Sequence, residues 1–130
     1  MKMKSKVLVI DDIPERHQII REWLHFYHNV DREDVLSSYS YRQGIEALSI
    51  YSDKLDMIFL DHDFDFLVNE DEKDKTGVDI AKFMIEHELN IPVTIISVNP
   101  VGAKNIENTL KGHVDTVVYR PIYYFKFERV

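Results

Sequence analysis

The 130-residue sequence contains no cysteine, which removes disulfides, zinc–thiolate sites, iron–sulfur clusters and thiol nucleophiles from consideration. It also lacks any apolar run near the ~18–20 residues that a membrane-spanning helix needs. The basic start Met1-Lys2-Met3-Lys4-Ser5-Lys6 is followed only by Val7–Ile10 before two aspartates, an apolar stretch too short for a signal peptide. Internal repeats and low-complexity tracts are missing too. Net positive charge is absent: 16 Lys and Arg against 23 Asp and Glu leave −7. That balance argues against a broad nucleic-acid surface or an anionic-membrane surface. What is present is 45% hydrophobic and 30% charged residues, the mix of one soluble globular domain, cytoplasmic by default and too short for a second core.

Periodicity gives an alternating series. Lys6–Ile10, Met57–Leu60, Pro92–Ser97 and Thr116–Tyr119 are short apolar runs suited to buried parallel strands, with Val35–Ser40 a weaker candidate. Between them, helical spacing is read over Pro14 to about His28, over Tyr41–Ser52, from Thr76 to about Glu88, and beyond Asn99-Pro100. Thr76-Gly77-Val78-Asp79 reads as a capping box, and Asn99-Pro100 as an N-cap followed by a first-turn proline. Such alternation predicts a three-layer, flavodoxin-like α/β domain over 1–130, with a five-stranded parallel sheet in the order 2-1-3-4-5. The last helix is short or missing, an acidic insertion spans 62–76, and an aromatic tail occupies 122–130.

In such sheets, ligands bind beyond the carboxyl ends of the strands. Asp11 and Asp12 stand after the first strand, and Asp61, His62 and Asp63 after the third. Ser97, Asn99 and Pro100 follow the fourth, and Arg120 the fifth. Carboxylates crowded on one rim repel one another, and a divalent cation relieves this; oxygen-only donors favour Mg²⁺ (or Mn²⁺, Ca²⁺) over softer metals. Ser97, Arg120 and the helix opened by Asn99-Pro100 supply donors for a phosphoryl group. Metal and phosphate donors in one pocket suit phosphoryl chemistry.

Asp11-Asp12, Asp61, Ser97 and a basic residue before Pro121 resemble the receiver domain of two-component response regulators. In that family, the strand-three aspartate accepts a phosphoryl group, the acidic pair holds Mg²⁺, and a lysine precedes the proline; Arg120 stands here instead. A closer resemblance is to the receiver-like, cyclic-phosphate-processing family of bacteria and bacteriophages. It is carried by Asp11-Asp12 with Pro14 and Arg16, Phe59-Leu60-Asp61-His62-Asp63, Thr76-Gly77 and Ser97-Val98-Asn99-Pro100-Val101-Gly102. The likeness runs from residue 6 to about 121. That family commonly has a histidine where Ile96 stands.

The resemblance implies a Mg²⁺-dependent, metal-binding phosphohydrolase acting on a cyclic phosphate or related phosphodiester. Asp11, Asp12 and Asp61 would hold the metal. Ser97, Asn99 and Arg120 would bind phosphate, and His62 or Asp63 would move the proton. The alternative is a phospho-accepting or degenerate receiver, with Asp61 as acceptor, working through a protein partner.

Other residues have plainer readings. His17, His25, His28, His87 and His113 read as surface or core-edge residues, and Tyr123-Tyr124-Phe125 with Phe127 as packing or a partner contact. Asp61, Asp63, Asp65, Asn69 and Glu72 match the ligand spacing of an EF-hand loop. Phe66 replaces its turn glycine, however, and no entering helix precedes Asp61. Glu70 to Lys75 is expected to form a solvated, mobile flap over the mouth.

Overall fold

Both faces of the sheet are covered, which is why its strands read as continuous apolar runs instead of alternating ones. The computed structural model describes residues 6–65 and 70–125. In chain order the elements are β1 (Lys6–Ile10), α1 (Pro14–His28), β2 (Val35–Ser38), α2 (Tyr41–Tyr51) and β3 (Leu55–Leu60). They continue with α3 (Gly77–Glu86), β4 (Val93–Ile95), α4 (Pro100–Leu110) and β5 (Val117–Tyr119). All five strands are parallel and lie in the order β2-β1-β3-β4-β5. This is the flavodoxin-like arrangement expected from the sequence.

Side chains of each strand alternate between two cores. Leu8, Ile10, Ile58, Leu60, Val93 and Ile95 meet Leu48 of α2, Ile80 and Met84 of α3, and Ile106 and Leu110 of α4. Val7, Val9 and Phe59 face the other way, toward Ile20 and Leu24 of α1. No α-helix follows β5 among the described residues. A 3₁₀ turn, Ile122–Phe125, closes this side with Ile122 and Phe125, and the Phe125 ring meets Phe59 and Trp23 edge-on. Tyr123 and Tyr124 remain exposed, and Phe127 lies outside the described residues. No helix of the described residues is long and apolar enough to cross a membrane.

Boundaries differ in detail from the sequence reading. β3 begins at Leu55, two residues before the expected start, whereas β2, β4 and β5 are shorter than expected. α3 stops at Glu86, because Glu88 turns into the left-handed region (φ 54°) instead of extending the helix.

The acidic segment is the larger correction. Instead of a free flap, its described part is fastened to the start of α2. Glu72 is buried, and its carboxylate accepts from the Arg42 backbone N–H (2.8 Å), an amide in the first turn that has no partner within its own helix. Asp71 pairs with the Arg42 guanidinium (2.6 Å), and Lys75 lies 5.3 Å from the centre of the Tyr41 ring. With Glu72 committed there, the EF-hand spacing does not converge; Phe66 and Asn69 of that pattern lie outside the described residues.

Candidate metal and phosphate site

Register builds the site. Ile10 pairs with Leu60, so the next residues of the two strands, Asp11 and Asp61, emerge side by side at the carboxyl edge. Their backbones are pinned by Asp61 N–H to the Ile10 carbonyl and Asp11 N–H to the Ser38 carbonyl (both 3.0 Å). Asp11, Asp12 and Asp61 are all buried, and each offers a carboxylate oxygen within 4.8 Å of the others. Three hard oxygen donors with no sulfur or imidazole among them fit Mg²⁺ chemistry.

Desolvation dominates the electrostatics. Burial pushes Asp61 up to about 7; the Asp11 charge adds to the rise, and Arg16 opposes it. Burial likewise lifts Asp11 to about 6, opposed by the Ile13 N–H and by Arg16. Asp11 Oδ1 accepts from Ile13 N–H (2.8 Å), leaving Oδ2 toward Arg16 Nη1 (3.3 Å), which also lies 3.5 Å from Asp61 Oδ2. Asp12 does not cap α1: Ile13 takes the N-cap position without a side-chain bond, and the turn bond comes from Asp11.

Two glycines let two helices close over residues 61–63. Gly77 N–H donates to the His62 carbonyl (2.8 Å), and a Cβ at 77 would lie 2.2 Å from the Asp61 carbonyl oxygen. Thr76 caps α3 through the expected capping box with Asp79. On the other flank, the His62 ring lies on Gly102, where a Cβ would stand 2.4 Å from its Cγ. His62 Nδ1 is 2.9 Å from Asp63 Oδ1, and since a carboxylate only accepts, this nitrogen carries the proton. Asn99 Nδ2 donates to Asp63 Oδ2 (3.4 Å), while Asn99 Oδ1 accepts from Gly102 N–H (3.1 Å) and caps α4. The Ser97 hydroxyl, buried, accepts from Asn99 N–H (3.0 Å) and keeps its own O–H to donate. Together these residues flank a cleft of about 280 Å³ lined by Asp12, Ile13, Arg16, Asp61, Asp63, Asp65, Ser97 and Val98.

The sequence profile of the cyclic-phosphate processing receiver domain matches residues 6–112. The chain belongs to that family. The receiver fold is shared with solved structures of low identity. A response regulator receiver domain from Clostridium thermocellum is 19% identical and superposes with a TM-score of 0.66, over 92% of this chain and 86% of that one. Response regulator TrrA from Thermotoga maritima, in complex with Mg²⁺ and beryllofluoride, gives 18% and 0.54, over 89% and 86%. A Borrelia burgdorferi CheX–CheY complex with beryllofluoride and Mg²⁺ gives 15% and 0.58, over 90% and 78%. No curated protein matches the chain.

Not every expected residue of this receiver domain reaches the cleft. Arg120 does not line it: its guanidinium lies 4.8 Å from the centre of the Tyr124 ring, on the α1 side. His62 stands behind Asp63 and is not part of the lining. The Ile96 side chain, fully buried, belongs to the cluster under α1 and points away from the carboxylates.

Two residues matter more than the sequence suggested. Arg16 enters the acidic cluster from the first turn of α1, a placement that its position five residues after Asp11 could have signalled. Of the two expectations for His17, surface or core edge, the surface one does not hold: the residue is 1% exposed, with Nε2 2.6 Å from the Asp11 carbonyl and Nδ1 2.8 Å from Ser37 Oγ. Burial lowers its pKa, so the neutral ring donates from Nε2 and accepts the Ser37 hydroxyl at Nδ1. The signal was legible, since His17 continues the buried stripe of Ile20 and Leu24 at helical spacing.

Proposed function

We propose that this receiver domain hydrolyses a cyclic phosphate, or a related phosphodiester, in a Mg²⁺-dependent reaction at the rim of β1 and β3. The observation carrying this reading is the cluster of three buried carboxylates in a chain matched by the cyclic-phosphate processing profile. Asp11, Asp12 and Asp61 would hold the ion. When bound, it supplies positive charge to the phosphoryl oxygens and permits the clustered carboxylates to ionise. Ser97 donates its hydroxyl to a phosphate oxygen. Asp63, which lines the cleft and is oriented by His62 and Asn99, takes a proton from the attacking water as a new P–O bond forms. One ester P–O bond breaks, and the proton passes to the departing oxygen, opening the ring to a phosphomonoester.

A screen of cyclic phosphodiesters with and without Mg²⁺ tests this, with Asp61→Asn and Asp11→Asn as controls. Metal-dependent product that both variants abolish is the expected result; no turnover on any member overturns it. The second reading, a phospho-accepting receiver, is favoured by the beryllofluoride and Mg²⁺ held by the TrrA and CheY structures and by the place of Asp61 after β3. Incubation with acetyl phosphate and Mg²⁺ separates the two: stable labelling of Asp61 without turnover supports the acceptor. A protein partner belongs to that second reading.

A further inference from the structure

We propose that Arg16 is the anion-binding residue of the cleft, and that it rests on the Asp11 and Asp61 carboxylates until a divalent cation takes its place there. This deepens the metal-dependent reading above and rests on it. Three observations carry it. First, one guanidinium nitrogen, Nη1, bridges the two strands' aspartates, 3.3 Å from Asp11 Oδ2 and 3.5 Å from Asp61 Oδ2. Second, Asp11 Oδ1 is already committed to the Ile13 amide, so Oδ2, which faces Arg16, is the oxygen left for an ion. A guanidinium and a divalent cation compete for it, because two positive charges on one oxygen repel each other at such short range. Third, Arg16 is the one cationic residue lining the cleft among the described residues, alongside Asp12, Asp61, Asp63 and Asp65.

These facts give Arg16 two positions of use. Without metal, its charge offsets the buried carboxylates. With metal bound, that charge is redundant at the aspartates. The side chain stands at the mouth, 18% exposed, on a flexible stem that can turn toward the cleft. An anionic phosphate entering a space lined by four aspartates needs a donor fork beyond the metal, and Arg16 supplies it. Arg120, assigned that task from sequence, is engaged with Tyr124 instead.

The resulting signature is a pair of changes with opposite signs. Electron paramagnetic resonance of free Mn²⁺ measures metal affinity, and calorimetry with inorganic phosphate at saturating Mg²⁺ measures anion affinity, on wild type, Arg16→Gln, Arg16→Lys and Arg120→Gln. Arg16→Gln should bind Mn²⁺ roughly fivefold more tightly, having lost a competitor, yet bind phosphate roughly tenfold more weakly. Arg16→Lys keeps the charge but not the fork, so its Mn²⁺ affinity stays near wild type while phosphate weakens a few-fold, about threefold. It also carries the test if the glutamine variant does not fold. Weaker Mn²⁺ binding by Arg16→Gln makes Arg16 a structural support and overturns the proposal. So does unchanged phosphate affinity in both Arg16 variants, or a phosphate loss confined to Arg120→Gln. Wild-type protein that takes up no Mn²⁺ overturns the metal-dependent reading itself, a result distinct from any of these.

Discussion

The imidazole of His62 fills the space beside Gly102 where a Cβ would stand, so two sequence segments forty residues apart pack together only because position 102 carries no side chain. Gly102→Ala inserts a methyl group 2.4 Å from the ring carbon Cγ, and the ring must leave. The expected cost is about 1–3 kcal/mol, with a displaced His62 imidazole signal. Thermal unfolding and proton NMR of the histidine ring check both.

Gly77→Ala should be worse. Its Cβ would meet the Asp61 carbonyl oxygen at 2.2 Å and Ile106 at 2.7 Å, and backbone cannot rotate away as a side chain can. A loss exceeding that of Gly102→Ala is expected in parallel urea melts; equal or smaller loss would contradict the close approach of α3 to β3.

The acidic cluster sets a pH dependence. Asp11 and Asp61 hold protons up to about 6 and about 7 in the folded chain, whereas their ordinary value is 3.8. The folded state therefore binds more protons than the unfolded state between these limits, and metal-free stability falls as pH rises from about 4 to about 7. Asp61→Asn removes the penalty, so it should stabilise metal-free protein by about 1–3 kcal/mol at pH 8 and barely at pH 4. Saturating Mg²⁺ should reverse the ranking at pH 8. Denaturant melts across this range give the answer.

His17 supports the turn that carries Asp11 and Asp12. Replacing it with Phe leaves the Asp11 carbonyl and the Ser37 hydroxyl without their ring partner, for a loss of about 1–3 kcal/mol. Because the turn is loosened, the increase in melting temperature on adding Mg²⁺ should shrink as well. An unchanged increase would mean that the aspartates are held without His17.

Introducing the histidine common in the family at position 96 should not help this protein. Ile96 is fully buried in the apolar cluster under α1, and an imidazole there has no water and no partner. Ile96→His is expected to cost about 2–4 kcal/mol and to leave metal-dependent turnover no higher. A stable variant with raised turnover would show that the strand end can rotate toward the cleft.

The fold was legible because strand and helix each declare themselves by period. Runs such as Val7–Ile10 and Met57–Leu60, set between helical stretches, read as strands covered twice, and the strand-end rule then named Asp11, Asp12, Asp61 and Ser97 as neighbours. What escaped was set by side-chain reach. Arg120 follows β5 as read, yet its guanidinium chose the face of Tyr124, an aromatic partner that the sequence gives no means to rank above a distant carboxylate. Arg16 was noticed as part of a motif and given no role, although helix geometry alone brings the first turn of α1 to the same rim. The docking of Glu72 on Arg42 joins residues thirty apart, a pairing that no local pattern announces.

Asp63 and Thr76 form an isolated antiparallel bridge, and Gly77 binds the His62 carbonyl, so the stretch between them departs and returns through one fixed doorway. Lengthening such an excursion is cheap, about 0.6 kcal/mol for each doubling, and the strain stops at the doorway. An insertion between them would therefore leave Asp61 and the start of α3 in place, and would answer only to the contacts that Glu72 and Asp71 make with α2.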